Sequence, residues 1–163
     1  MDDLLTGLSR ARATLTASID GLTDRQMTSG EVIPGYTVQD LLGHLAAWDH
    51  EILAAVEAYL NGGPPYRADM ATADVDAWNV RARDRRRDMA MAPLQTRLVC
   101  LMTRGELGSV LAAAPPEIAD HVLDYPWGER GTLRALVERY AIEHDLAHAA
   151  QIRAWRDHEG GNV

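Results

Sequence analysis

The chain predicts an all-α four-helix bundle, on three observations. Apolar residues recur at three- and four-residue intervals through nearly all of its 163 residues, the period of a helix and not the alternation of a strand. Clusters of Gly and Pro cut that pattern into four long pieces. Within them, His144-Asp-Leu-Ala-His148 stacks two imidazoles on one helix face, and His44, in Leu-Leu-Gly-His-Leu-Ala-Ala-Trp, supplies a third from another helix. A bundle builds metal sites from inward residues of facing helices, and residues 1–163 are expected to form one domain with a core of its own.

Each element has its own justification. The first helix, near 2 to 20, follows the acidic pair Asp2-Asp3 and carries Leu4, Leu5, Leu8, Leu15 and Ile19 along one stripe. Thr23-Asp-Arg-Gln26 reads as a capping box opening a short turn, and Ser29-Gly30 to Pro34-Gly35-Tyr36 as a loop. Thr37-Val-Gln-Asp40 caps a second helix, near 37 to 61, with Leu41, Leu45, Trp48, Ile52, Ala55 and Tyr59 inward and Asn61-Gly62-Gly63-Pro64-Pro65 ending it. His44, three after Leu41 and four before Trp48, points inward. A partly helical stretch spans 72 to 90, and its Arg81 to Arg87 run reads as a solvated face compensated by Asp84 and Asp88, with a guanidinium or two available for a carboxylate.

Pro93 suits the first turn of a third helix, near 93 to 114, which ends before Pro115-Pro116. A short piece around Glu117 to Val122 and a turn at Tyr125-Pro-Trp-Gly128 lead to the last helix, near 132 to 158. Its inner stripe is Val137, Tyr140, Ala141, His144, His148, Gln151, Ile152 and Trp155. No strand is predicted.

Composition excludes several function classes. With 24 Asp and Glu against 16 Lys and Arg, the formal charge of -8 disfavours a nucleic-acid partner, whose phosphates are held by cations. A single cysteine, Cys100, rules out an internal disulfide and Cys-rich zinc modules, and its apolar neighbours read as core surroundings that raise a thiol pKa. No apolar run approaches the roughly 18 residues of a membrane span, and Met-Asp-Asp-Leu-Leu lacks a basic leader, so the expected location is cytoplasmic.

The histidines carry the chemistry. Two imidazoles on one face supply half of a tetrahedral site, and a third makes the three-ligand set of catalytic zinc, which leaves a position for water or substrate. His44, His144 and His148 are the candidate ligands, with nitrogens expected within about 6 Å of one another. Taken alone, the pair also fits ordinary polar residues of a bundle core. Neutral ligands leave the cation its full charge, enough to activate a water or a thiol. Glu51, Glu143 and Asp145 are candidate acceptors for the outer ring nitrogens, although the two neighbours of His144 leave the helix about 100° from it, towards water. Gln151 is placed to bond a ligand, and Trp48 and Trp155 to wall the site. His50, His121 and His158 read as solvated. A zincin is disfavoured because His-Asp-x-x-His has a shorter acid and no third ligand downstream, and a di-iron site because no Glu-x-x-His occurs.

The string His144-x3-His148-x2-Gln151-Ile152, with His44 in Leu-x-His-Leu-x-x-Trp, resembles the DinB/YfiT-like superfamily, and the order of elements matches over nearly the whole chain. That resemblance implies an up-down-down-up bundle, commonly a homodimer, with His44, His144 and His148 on a divalent ion, zinc or nickel. It also implies a metal-dependent enzyme acting on a small molecule, either as a transferase using a mycothiol- or bacillithiol-type thiol or as a hydrolase. The segment around Ala77-Trp78-Asn79 resembles the ClbS/DfsB group, whose alternative is non-catalytic binding or sequestration of a small molecule. Leu94, Leu98, Leu101, Met102 and Leu107 are the apolar residues expected to serve a dimer face.

Overall fold

A computed structural model describes residues 1–67 and 74–160. In chain order it contains α1 (Asp2–Ile19), α2 (Asp24–Thr28), α3 (Val38–Leu60), α4 (Val75–Asp88), α5 (Pro93–Ala113), a 3-10 turn (Pro116–Asp120), strands β1 (Val122–Asp124) and β2 (Arg130–Thr132), α6 (Leu133–Val137), a π turn (Glu138–Ile142) and α7 (Glu143–Gly160). The expected onset of the helical stretch at 72 lies outside the described residues. Local chemistry explains the boundaries. Thr23 with Gln26, and Thr37 with Asp40, form reciprocal capping boxes that satisfy amides the helices leave unpaired, each cap contributing about 1 kcal/mol. Pro93 occupies the first turn of α5, and Gly62, at φ 64°, follows the Asn61 cap of α3.

Contacts between helices give their directions. Asp3 meets Arg134, Arg12 meets Asp145, and Arg156 donates to the Ser18 carbonyl, so α1 runs parallel to the α6–α7 helix. Gln39 bonds Thr96 and Asp49 bonds Arg104, so α3 and α5 are parallel to each other. His44 meets His148 and His144 while Trp48, a turn further on, meets Tyr140, so α3 runs against α7. Together these contacts make an up-down-down-up four-helix bundle.

Two apolar clusters fill it. One gathers Leu8, Ile52, Leu107, Leu111, Leu136 and Val137 with the tryptophans Trp48, Trp78 and Trp127. The other gathers Leu15, Met27, Leu41, Leu45, Ala149 and Ile152 with Cys100. Fully burying one such aliphatic side chain contributes about 1.5–3 kcal/mol. Three expectations are corrected. Tyr59 sits on the outward side of α3, 38% exposed, and bonds the exposed His121. Leu107 is fully buried, and so belongs to the core and not to an outer face of α5. A two-stranded antiparallel hairpin occupies the connector, Val122 opposite Thr132, Leu123 opposite Gly131 and Asp124 opposite Arg130. Three-residue strands are too short to show a period. Tyr125 closes the hairpin by donating to the Thr132 carbonyl (3.0 Å) across Gly131, where any Cβ would collide with the tyrosine ring.

Candidate metal centre

α3 and α7 bring the three histidines together. Nε2 of His144 lies 3.0 Å from Nε2 of His44 and 3.0 Å from Nε2 of His148, and one nitrogen from each of the three rings lies within 4.8 Å of the others. Two imidazole nitrogens about 2.0–2.1 Å from one ion stand about 2.8 to 3.4 Å apart for angles between right and tetrahedral, so the spacing suits a shared cation.

The protonation chemistry agrees. Burial, and then the proximity of His144 and His148, holds the His44 pKa well below the usual histidine range. Burial followed by His148 brings His144 down to about 3, and burial lowers His148 against an opposing bond from Gln151. Neutral rings keep lone pairs available, the form in which imidazole binds metal. His148 Nδ1 stands 2.7 Å from Gln151 Oε1, an acceptor that leaves the His148 proton on Nδ1 and directs Nε2 inward. The Nδ1 atoms of His44 and His144 are buried and complete no hydrogen bond among the described residues. The Tyr140 carbonyl, one turn before His144, nonetheless lies where it favours a proton on that ring.

Aromatic rings wall the cluster. Trp48 stands edge-on to His144 at 5.6 Å and stacks on Tyr140 at 5.6 Å with the planes 4° apart, while Tyr36 closes on His44 at 6.0 Å. Trp48 Nε1 donates to Asn79 Oδ1 on α4, so the Trp78-Asn79 segment holds the wall in place. Trp155 is half-buried against Gly30 and Ile152's cluster, away from the three rings. His50 and His158 are exposed.

The expected carboxylate acceptors are elsewhere. Glu51 accepts from the Tyr66 hydroxyl (3.0 Å), Glu143 is exposed, and Asp145 is turned into the core, not towards water. The cause is the π turn. Its bond from the Glu143 amide to the Glu138 carbonyl spans five residues, which shifts the phase of every later position by about one residue, or 100°. His144 moves onto the shoulder beside Tyr140, and Asp145 takes the deepest position.

There Asp145 joins a feature the sequence reading missed. Arg12 of α1, Asp49 of α3, Arg104 of α5 and Asp145 of α7 form a buried network of two cations and two anions, one from each main helix. Arg12 Nη2 donates to Asp49 Oδ2 (2.8 Å) and Arg12 Nε faces Asp145 Oδ2 (3.0 Å). Arg104 donates through Nη2 to Asp49 Oδ1 (2.7 Å) and to the Ala141 carbonyl (3.2 Å). Arg12 also donates to the Cys100 carbonyl and sulfur, and burial pushes that thiol up to about 11, in keeping with a core cysteine. The network separates the two apolar clusters at the level of the histidines.

Comparison with known proteins adds the lineage. The chain superposes on a mycothiol-dependent maleylpyruvate isomerase at TM-score 0.72 and 11% identity, covering 93% of this chain but only 60% of the isomerase. It matches the colibactin self-resistance protein ClbS, solved in complex with a dsDNA, at TM-score 0.80 and 9% identity over 96% of this chain and 95% of ClbS. YfiT from Bacillus subtilis, described as a probable metal-dependent hydrolase with an unusual four-helix bundle topology, matches at TM-score 0.69 and 20% identity over 98% of this chain and 87% of YfiT. At these identities the likeness is one of fold. No functionally curated protein matches the chain. Residues 7–152 match the DinB superfamily, and the chain belongs to that superfamily.

Proposed function

We propose that this protein is a divalent-metal-dependent enzyme acting on a small molecule, with His44, His144 and His148 as the ligands of one zinc or nickel ion. The observation that carries the reading is the convergence of three neutral imidazoles, those of His44 and His148 buried and that of His144 half-buried, with one nitrogen from each within 4.8 Å of the others. A bound ion would supply Lewis-acid activation of a water or thiol at neutral pH.

The chain's own residues do the rest. His44 and His144 hold two sides of the site from opposed helices, and Gln151 fixes the tautomer of His148. Trp48, Tyr140 and Tyr36 exclude bulk water from it, which strengthens every electrostatic interaction inside. The reaction class is either group transfer with a low-molecular-weight thiol of the mycothiol or bacillithiol type, a reading supported by the thiol dependence of the isomerase, or hydrolysis, supported by the description of YfiT. The formal charge of -8 supports a small-molecule substrate over nucleic acid. No helix among the described residues is long and apolar enough to cross a membrane, and a cytoplasmic location is part of the proposal. So is a homodimer through α5, where Leu94, Leu98, Leu101 and Met102 are 45–64% exposed.

Metal analysis of protein purified without a histidine tag, followed by an activity screen with mycothiol and bacillithiol, tests the reading. About one ion per chain and thiol-dependent turnover are expected; protein that neither retains nor takes up zinc or nickel would overturn it. A second reading is favoured by one observation, the match to ClbS along 95% of its length. In it the protein binds or sequesters a small molecule without turnover. Saturable binding with no product would select that reading, and DNA binding that weakens steeply with salt would replace the small-molecule assignment altogether.

A further inference from the structure

A second site lies on the side of α3 next to the one that carries His44. α3, α4 and the α4–α5 connection enclose a cavity of about 350 Å³ lined by Thr28, Gln39, Gly43, Thr96 and three arginines, Arg83, Arg86 and Arg87. Its volume is in the range of small-ligand sites.

The three guanidiniums are not equivalent. Arg87 grips both oxygens of Asp40 (2.9 and 2.6 Å) and the Gly35 carbonyl. Arg83 is spent on Asp84 and the Gly35 carbonyl, and lies over the Tyr36 ring. Arg86 donates to no carboxylate or carbonyl among the described residues, although it is half-buried. Its stem packs on the bare Cα of Gly43, where a Cβ would come within 2.9 Å of Arg86 Cδ. Glycine there is what admits the side chain. Burial lowers the Arg86 pKa from its ordinary value, yet a guanidinium remains charged throughout the working pH range. A desolvated cation without a counter-ion is unfavourable unless an anion completes it.

The rest of the lining agrees. Asp40, the acidic residue of the cavity wall, has its oxygens filled by Arg87 and by the Thr37 amide and hydroxyl. The lining therefore holds three arginines against one neutralised aspartate, in a chain whose formal charge is -8. The first turn of α3 opens onto the same space and adds the positive end of its dipole. The Glu51 carboxylate, by the neighbouring cavity that Arg86 also borders, is engaged by Tyr66.

The geometry points to an oxyanion-binding site in the α3–α4 cavity, in which Arg86 holds the carboxylate or phosphate group of a small molecule in a bidentate pair. None of the three histidines lines it, although the Arg86 charge is near enough to His44 to help hold that ring neutral. Gly43 precedes His44, so an occupant would press on the same turn of helix that carries that imidazole.

Titration of the full-length protein with inorganic phosphate and, separately, with succinate tests this, by calorimetry and by NMR of the Arg86 Nε–H, in metal-free and zinc-loaded samples. Saturable one-to-one binding of at least one anion is expected, together with a shift of the Arg86 resonance. Arg86→Gln should weaken it at least tenfold, Arg86→Lys should retain part of it, and Arg134→Gln, on the far bond to Asp3, should leave it unchanged. Phosphate alone would identify a phosphate ester as ligand, and succinate a carboxylate. Equal affinity in Arg86→Gln, or no saturable binding of either anion by the parent protein, would overturn the assignment. If Arg86→Gln fails to fold, the Arg86 resonance of the parent decides. Anion binding by metal-free protein separates this result from the fate of the metal reading.

Discussion

Replacing Asp49 with alanine tests the buried charge network at its most connected member. Asp49 is 0% exposed and accepts from Arg12 at 2.8 Å and from Arg104 at 2.7 and 3.1 Å. Its removal leaves two buried guanidiniums with Asp145 as their one remaining carboxylate in the network, and the loss of one partner from a buried ionic group costs about 3–5 kcal/mol. The total stability of a domain is about 5–15 kcal/mol, so the variant should lose a large fraction of it. At about 2–4 °C per kcal/mol for a chain of this size, the melting temperature should fall by roughly 6–20 °C. Urea denaturation followed by circular dichroism is the assay, and the midpoint should drop with the slope unchanged, since the surface exposed on unfolding is the same. Asp49→Asn, which retains one acceptor oxygen but not the charge, should fall between parent and alanine and keeps the test open if Asp49→Ala does not express. Replacing all four members with Met and Leu should be less harmful than Asp49→Ala, because apolar isosteres leave no charge unpaired. An alanine variant within about 1 kcal/mol of the parent would refute the reasoning, placing the loss in the range of solvent-exposed pairs.

Further outcomes are expected. Alanine at His44, His144 or His148 should weaken zinc binding by more than about a hundredfold, whereas His50→Ala and His158→Ala should match the parent in equilibrium dialysis. Gln151→Leu removes the acceptor 2.7 Å from His148 Nδ1 and should reduce metal affinity about 10–100-fold, with the urea midpoint unchanged because the side chain is exposed. Cys100, raised to about 11 by burial, should resist thiol reagents at pH 8 except at the rate of unfolding. Because an unfolded thiol releases its proton near pH 8.5, the stability tied to this group is complete below that pH and is lost as pH rises towards 11. Gly131→Ala must displace the Tyr125 ring from its bond to the Thr132 carbonyl; a loss of roughly 1–3 kcal/mol should register in the same urea assay.

How much of this was legible in the sequence depended on the range of the interaction. The main helices lie within two residues of their expected bounds because Thr37-Asp40, Pro93 and Asn61-Gly62 act locally. The His144 and His148 pair was legible because a spacing of four survives any rotation of the helix as a whole, and His44 because Leu41 and Trp48 bracket it. The role of Asp145 was not legible. A reading that carries a 3.6-residue period from Leu133 to Trp155 places Asp145 beside its neighbours on the flank, and the π turn at Glu138–Ile142 breaks that period. The selection of Arg86 from its run was equally hidden, since Arg83 pairs with its neighbour Asp84 while Arg87 reaches Asp40 on α3, a tertiary contact that the run itself does not show.

The charge network did leave a trace in the sequence. Arg12 lies four after Leu8 and three before Leu15, Asp49 four after Leu45 and three before Ile52, and Arg104 four after Cys100 and three before Leu107. Each is a charged residue set into an apolar stripe at the same phase, and all of those apolar neighbours are buried. A single such residue reads as an interruption that swings to the surface. Three of them, one per helix and with signs alternating along the chain, are better explained by mutual pairing, because each carries a desolvation cost that only the others can offset. A net charge of +1 from the three then requires a fourth, negative partner on the remaining helix. Asp145, between Ala141 and Ala149, meets that requirement once the π turn brings it inward, which ties the phase of α7, and with it the direction of His144 and His148, to the neutrality of the core.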